Sequence, residues 1–442
     1  MKTPIVDFVT SYASSGAVRL HMPGHKGMSY LGCESLDITE IKGADVLYSA
    51  DGIINESENN ASELFGTAHT FYSTEGSTLA IKAMLALVKK AGSREYILAA
   101  RNVHKAFIYA CALLDLDVQW LYPKEFVNLC SCNISKQDVE SALQNAERRP
   151  IAVYVTSPDY LGNILDVKGI SEVCKKYGVP LLVDNAHGAY LAFMSPSMHP
   201  IALGADMCCD SAHKTLPALT GAAYLHISKT APKKYLDNAP SRLALFASTS
   251  PSYLILQSLD MCNKVLEDSY SKRLLEASEA LSELKVRLSA AGIPVMNTEP
   301  MKLVINAAEF GCTGNSLADA LRENEIECEF SDDYYTVCMF SPDNRKSDYE
   351  RVYDVLTAIE KRPQIQNLDT YPTVPLKAMT PREAIFSESE TVPAELSKGR
   401  ILSSVNVSCP PAVPIAMSGE IIDENAVKLF KRYGIKNVCV VK

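Results

Sequence analysis

Leu181-Leu-Val-Asp184-Asn-Ala-His187 decides how the rest of the chain is read. Three consecutive apolar residues run into a carboxylate, directly after a helical pattern over residues 170–177. A strand that is apolar on every residue is buried on both faces, which is characteristic of a parallel sheet covered by helices. The same grammar repeats on either side. Residues 77–92 read as a helix, with Ile81, Met84, Leu85 and Val88 on one face and a glycine stop. Short apolar strands are expected at 95–99, 151–155, 207–210 and 222–226. Helices alternating with apolar strands give an α/β fold built on a large, mostly parallel sheet flanked by helices. Ligands bind such sheets at the carboxyl ends of the strands, which is where Asp184 stands.

The pattern changes after a long amphipathic helix over 271–291. Strands at 301–307, 326–330 and 334–340 and helices at 315–324 and 347–361 describe a smaller α+β region. Residues 363–381 are dotted with proline and read as a connection. The tail ends in a helix-like stretch at 424–433 and a strand-like stretch at 436–441. This divides the chain into an N-terminal arm (1–40), a large domain (41–285), a small α+β domain (286–370) and a C-terminal domain (371–442).

Composition narrows the function. With 47% apolar and 21% charged residues among 442, the chain can bury a sizeable core. A net charge of −9 argues against nucleic-acid binding, which needs a basic face. No signal peptide opens the chain, and no apolar run reaches the roughly 18 residues of a membrane helix. A cytoplasmic protein with no nucleic-acid or membrane partner is expected. The thirteen cysteines are odd in number and lack C-x-x-C spacing, so they are read as reduced thiols, and no metal site is expected.

Four segments carry candidate chemistry. Ser211-Ala-His213-Lys214-Thr215 follows a buried strand. A lysine there is desolvated and its pKa lowered, as suits a Schiff-base former; an ordinary surface lysine reads the same way in isolation. Asp184 can pair with a protonated ring nitrogen or simply cap a helix. Ser73-Thr-Glu-Gly76-Ser77-Thr78 opens a helix, and its hydroxyls and free N–H groups make an anion site or a plain cap. Arg101-Asn-Val-His104 follows a strand, where an imidazole can stack on an aromatic cofactor or serve only structure. Together, in this order, they supply what pyridoxal 5'-phosphate (PLP) needs: a phosphate loop, a stacking ring, an aspartate and a lysine.

Longer segments support this. His21-Met-Pro-Gly-His25-Lys26-Gly27, Asp37-Ile-Thr-Glu40, Thr156-Ser-Pro-Asp-Tyr160-Leu-Gly162, Asp184-Asn-Ala-His187-Gly188, Ser211–Thr220, Thr249-Ser-Pro-Ser-Tyr253 and Thr380-Pro-Arg-Glu-Ala384 resemble the prokaryotic ornithine/lysine/arginine decarboxylase family. The resemblance spans about residues 18–422, including Gly399-Arg400 and Gly419-Glu420, and is to the short Gram-positive form without an N-terminal wing domain. It implies the type I, aspartate-aminotransferase-like PLP fold. It implies that Lys214 is the Schiff-base lysine, that Asp184 pairs with the pyridine nitrogen and that His104 stacks on the ring. Gly76, Ser77, Thr78, Ser211 and His213 would line the phosphate site, and His187 would lie near the phenolic oxygen. It further implies a homodimer or higher homo-oligomer, with Ser250 or Ser252 reaching the neighbour's phosphate and His21, His25 and Lys26 in a crossing arm. Glu75, Asn185 and Gly221 depart from the family pattern.

The implied activity is PLP-dependent decarboxylation of arginine, lysine or ornithine to an amine and CO2, in polyamine biosynthesis. The four cofactor residues equally suit an aminotransferase or a carbon–carbon lyase, since one fold hosts many chemistries. No arginine is assignable to the α-carboxylate grip of an aminotransferase. A PLP-binding scaffold without turnover is a third reading, against which the retained lysine speaks. Glu420, Asp332 and Asp333 are positional candidates for the carboxylate that would hold a basic substrate side chain.

Overall fold

The computed structural model describes residues 1–92, 95–126, 128–365, 372–405 and 411–442. The chain forms two compact units, the first made of Met1–Gly92, Ala146–Ser157 and Val167–Ser271 and the second of Ser93–Asn145, Pro158–Asp166 and Lys272–Lys442. The expected boundary at 370 falls outside the described residues.

Seven strands belong to the large mixed sheet: β1 (His69–Ser73), β2 (Glu95–Ala100), β3 (Leu116–Leu121), β4 (Val153–Thr156), β5 (Leu181–Asp184), β6 (Met207–Asp210) and β7 (Ala223–Ile227). In the first unit their order is β1-β7-β6-β5-β4. Strands β4, β5 and β6 are parallel, as the apolar runs predict. Strand β7 runs antiparallel to both β6 and β1, so one strand of the expected mostly parallel sheet is reversed. The reason lies in the connection from β6 to β7. It holds only the one-turn helix Ala212–Thr215, too little to recross the sheet and start a parallel strand.

Helix Gly76–Val88 packs on β1, β6 and β7 and against helix Lys233–Ala244. Every residue from Leu79 to Val88 except Lys82 is buried, because sheet and second helix cover opposite sides. It ends at Val88 rather than Gly92, where Lys89 turns extended. Helix Pro4–Ser14 starts with proline, and its N-terminal turn is capped from a distance: Asp260 Oδ2 accepts from the Ile5 and Val6 N–H groups at 2.9 and 3.0 Å.

The second unit holds the parallel pair β2–β3, with helix Lys105–Leu114 between them in the chain. It also holds two three-stranded antiparallel sheets. In the first, β8 (Lys302–Asn306), β9 (Phe330–Ser331) and β10 (Tyr335–Met339) lie in the order β8-β10-β9. The strand expected at 326–330 shrinks to two residues here. The second sheet, β11 (Ser389–Pro393), β12 (Leu402–Ser404) and β13 (Asn437–Val441), lies in the order β11-β13-β12 and was only partly legible. Its first strand alternates little and is largely exposed, so it carries no hydrophobic period.

Among the described residues, twelve cysteines are free and nine of those are buried. Burial pushes the thiols of Cys111, Cys130, Cys208 and Cys209 well up, so they are neutral packing groups rather than nucleophiles. Among the same residues no helix is long and apolar enough to cross a membrane.

Candidate active site

Two turns at the carboxyl ends of β5 and β6 and one helix start make up the site in the first unit. Strand β5 ends on Asp184, which is 3% exposed. Its Oδ2 accepts from the Tyr154 hydroxyl at 3.2 Å, and its Oδ1 accepts from the Ala186 N–H at 3.2 Å and the Cys209 thiol at 3.6 Å. Burial pushes this carboxyl upward, while the Ala186 N–H and the charge of Lys214 draw it back. Beside it in register, the Thr156 hydroxyl at the end of β4 is buried without a hydrogen-bond partner.

Lys214 sits in the one-turn helix after β6. Its Nζ lies 3.0 Å from His187 Nε2, which comes from the turn that follows Asp184. Ser211, the residue before that one-turn helix, donates its hydroxyl to Ser77 Oγ at 2.8 Å. Ser77 and Thr78 lie in the first turn of helix Gly76–Val88, which has no side-chain cap. The backbone there is shaped by Gly76 (φ +69°), whose N–H donates to the Gly221 carbonyl at 2.8 Å. An uncapped helix start flanked by two serine hydroxyls is an anion-binding arrangement. His213 points its Nδ1 at the Ala222 carbonyl, 2.9 Å away, which fixes the ring.

Thus Gly76, Ser77, Thr78, Asp184, His187, Ser211, His213 and Lys214 all fall in the first unit, on the helix start and strand ends. His104 lies in the second unit. There it precedes helix Lys105–Leu114, and its Nδ1 accepts from the Ala106 N–H at 3.1 Å.

The three departures from the family pattern have local reasons. Glu75 Oε1 accepts from the Ser248 N–H at 2.6 Å. Gly221 has φ +99°, and a Cβ there would stand 3.0 Å from the Thr74 carbonyl oxygen, so any side chain at this position is strained. Asn185 donates to Asp210 Oδ1 at 2.7 Å. The positional guesses for a substrate carboxylate fare differently. Glu420 Oε2 is engaged by Arg101 Nη2 at 2.9 Å and by the Met417 N–H at 2.7 Å. Asp332 is buried and accepts from Tyr433 and from the Tyr334 and Tyr335 N–H groups. Asp333 faces Arg432 Nε at 3.4 Å. Ser252 caps helix Tyr253–Val265.

Tyr154 and Cys209 carry no sequence signal of a place at the site. Both are interior residues of apolar strands, and their contact with Asp184 depends on strand adjacency, which carries no local signal.

Residues 3–290 match the family model described as the major domain of Orn/Lys/Arg decarboxylases. The chain belongs to this family. It is 32% identical to an arginine decarboxylase of Bacillus subtilis over 97% of this chain and 93% of that protein. It is likewise 32% identical to an arginine decarboxylase of Halalkalibacterium halodurans, over 96% and 92% of the two chains. Among solved structures, the Francisella novicida lysine decarboxylase superposes on all of this chain and 81% of its own, with a TM-score of 0.83 at 16% identity. That likeness establishes the shared fold. A Sphingomonas wittichii serine palmitoyltransferase matches more loosely, at a TM-score of 0.57 over 81% of this chain and 83% of that one.

Proposed function

We propose that this chain, a PLP-dependent decarboxylase of basic amino acids, acts on L-arginine and uses Lys214 as its attachment lysine. The observation that carries the reading is the Lys214–His187 contact of 3.0 Å beside a buried Asp184, in a member of the Orn/Lys/Arg decarboxylase family. Arginine is favoured because the two relatives at 32% identity are both arginine decarboxylases.

The residues fit the cofactor. Asp184 is a buried carboxylate whose pKa is raised by burial, so it gains from a cationic N–H partner. The orphaned Thr156 hydroxyl stands beside it. The uncapped helix start with Ser77 and Ser211 suits a phosphate. When bound, PLP supplies a carbonyl for amine attachment and a pyridinium that takes up the electron pair left by CO2.

The chain's own groups then have defined tasks. Asp184 holds a proton on the ring nitrogen by pairing with it. Gly76, Ser77, Thr78, Ser211 and His213 fix the phosphate end. His187 orients the Lys214 amine through their hydrogen bond. Lys214 Nζ and His187 Nε2 form a pair across which a proton is held and delivered to the substrate α-carbon. His104 is assigned to stacking on the ring by the resemblance.

The same reading includes a cytoplasmic homodimer, a place in polyamine formation, and the division into arm, cofactor domain, small domain and C-terminal domain. Incubation with PLP and arginine, lysine or ornithine, with CO2 and amine both quantified, tests it. Equimolar CO2 and amine from arginine is expected. A keto acid without CO2 would make the enzyme an aminotransferase, and no product from any of the three would sink the reading.

A further inference from the structure

A polar cluster in the first unit gathers around the end of β6, one residue from the site turns in the chain. Asp210, the last residue of β6, is fully buried. Its Oδ2 accepts from His199 Nε2 at 3.0 Å and His226 Nε2 at 3.1 Å. Its Oδ1 accepts from the Asn185 side-chain amide at 2.7 Å. His226 Nδ1 lies 2.9 Å from the Thr70 hydroxyl, so the far side of that ring is also engaged. His199, Cys208 and Asp210 also group metal-donor atoms, but the two imidazoles approach one carboxylate oxygen at direct hydrogen-bond separation.

The position of this cluster in the chain is what matters. Asn185 immediately follows Asp184, and its carbonyl accepts from the Gly188 N–H at 2.8 Å, closing the turn that carries His187. Asp210 immediately precedes Ser211, whose carbonyl accepts from the Lys214 N–H at 3.0 Å. Backbone pairing joins the strands as far as the Asn185 N–H bond to the Cys209 carbonyl at 3.0 Å. Beyond that point, the Asn185–Asp210 bond links the two turns.

We propose that Asn185 and Asp210 are positioning residues, forming a buried brace that fixes the separation of the Asp184–His187 turn from the Ser211–Lys214 turn. The proposal rests on the PLP reading above. The two histidines keep the brace in one charge state. Although burial raises the Asp210 carboxyl, His199 and His226 hold it well below the usual carboxylate range. An ionised Asp210 is always an acceptor for the Asn185 amide. A polar pair that is buried and hydrogen-bonded defines one arrangement of its backbone, which a pair of apolar residues would not.

The test is a charge swap. Asn185→Asp puts a second carboxylate against Asp210, where the two must share a proton. The other titratable groups facing Asp210 are His199, His226, Cys208, Cys209 and Tyr224. Apo N185D should be destabilised at neutral pH and recover toward wild type as pH falls, because the new carboxyl has a raised folded-state pKa. Its PLP affinity, titrated by absorbance, should fall at least about tenfold. The double variant N185D/D210N exchanges donor and acceptor at unchanged total charge. It should recover PLP affinity to within about threefold of wild type, as expected of a directly coupled pair.

The brace is overturned if N185D binds PLP as wild type does, or if the swap binds no better than N185D. A role in folding alone would lower the unfolding temperature of N185D without changing PLP affinity, which likewise overturns it. Failure of the wild-type protein to bind PLP would instead overturn the reading of the site. The pH-resolved unfolding of the apo variants then decides whether Asn185 and Asp210 are coupled at all: recovery at low pH and rescue by the swap show the coupling, and parallel curves refute the brace.

Discussion

Replacing Glu420 with alanine separates a structural carboxylate from a substrate-binding one. Glu420 and Arg101 form an ion pair at 2.9 Å with side chains 2% and 8% exposed. Without Glu420 the guanidinium keeps the Tyr122 hydroxyl, the Ile415 carbonyl at 3.4 Å and the face of Trp120, 5.2 Å from the ring centre, none of them an anion. Removing one member of a buried pair costs about 3–5 kcal/mol. Glu420 Oε1 and Arg101 Nε lack partners, which places this pair near the lower end. The stranded Met417 N–H adds about 1 kcal/mol, so the loss is about 4 kcal/mol. For 442 residues this is roughly 1 °C per kcal/mol, so the unfolding temperature drops by about 4 °C. Glu420→Gln keeps an acceptor and should lose less than half of that. Thermal unfolding and steady-state kinetics on both variants provide the measurement. If E420A unfolds within about 2 °C of wild type while KM for the basic amino acid rises, Glu420 holds the substrate and its structural assignment is wrong.

Other consequences are as direct. Lys214→Ala should abolish the visible absorbance seen on adding PLP and cut kcat by at least about a hundredfold; an unchanged spectrum would remove Lys214 from its role. Gly221→Ala meets both a φ of +99° and the Thr74 carbonyl at 3.0 Å, so it should cost about 1–3 kcal/mol and weaken PLP binding through the Gly76 contact. Wild-type behaviour in unfolding and titration would contradict this. Asp260 is fully buried, and burial raises its pKa from 3.8 to about 6. A raised folded-state pKa contributes stability that is complete below about 4 and lost as pH rises through about 6. Wild type should therefore gain up to about 3 kcal/mol on Asp260→Asn between pH 7 and pH 4. Parallel stability curves for the two proteins over that window would refute the assignment.

The parts legible in the sequence are those encoded locally. Strands β5 and β6 are legible at their bounds because each is an unbroken apolar run ending in an acid. The helix at 271–290 has enough turns to display its period. Strand β1, with His69 and Ser73 at its ends, shows no such run, since it pairs at the sheet edge with β7. The antiparallel course of β7 depends on how little helix precedes it, which an apolar pattern does not reveal. At the site, Lys214, Asp184 and the Gly76-Ser77-Thr78 loop stand out because each residue type is unusual at the end of a buried strand or the start of a helix. The Tyr154 hydroxyl, the Asn185–Asp210 bond and the engagement of Glu420 by Arg101 join residues 25 to 319 positions apart, and only the fold brings them together.

Carboxyl-labelled L-arginine with the PLP-loaded wild-type protein gives the most direct test. Labelled CO2 and the decarboxylated amine should appear in equal amounts, and neither should form with Lys214→Ala. Label retained in a keto acid, or CO2 release that survives loss of Lys214, would contradict decarboxylation through this lysine.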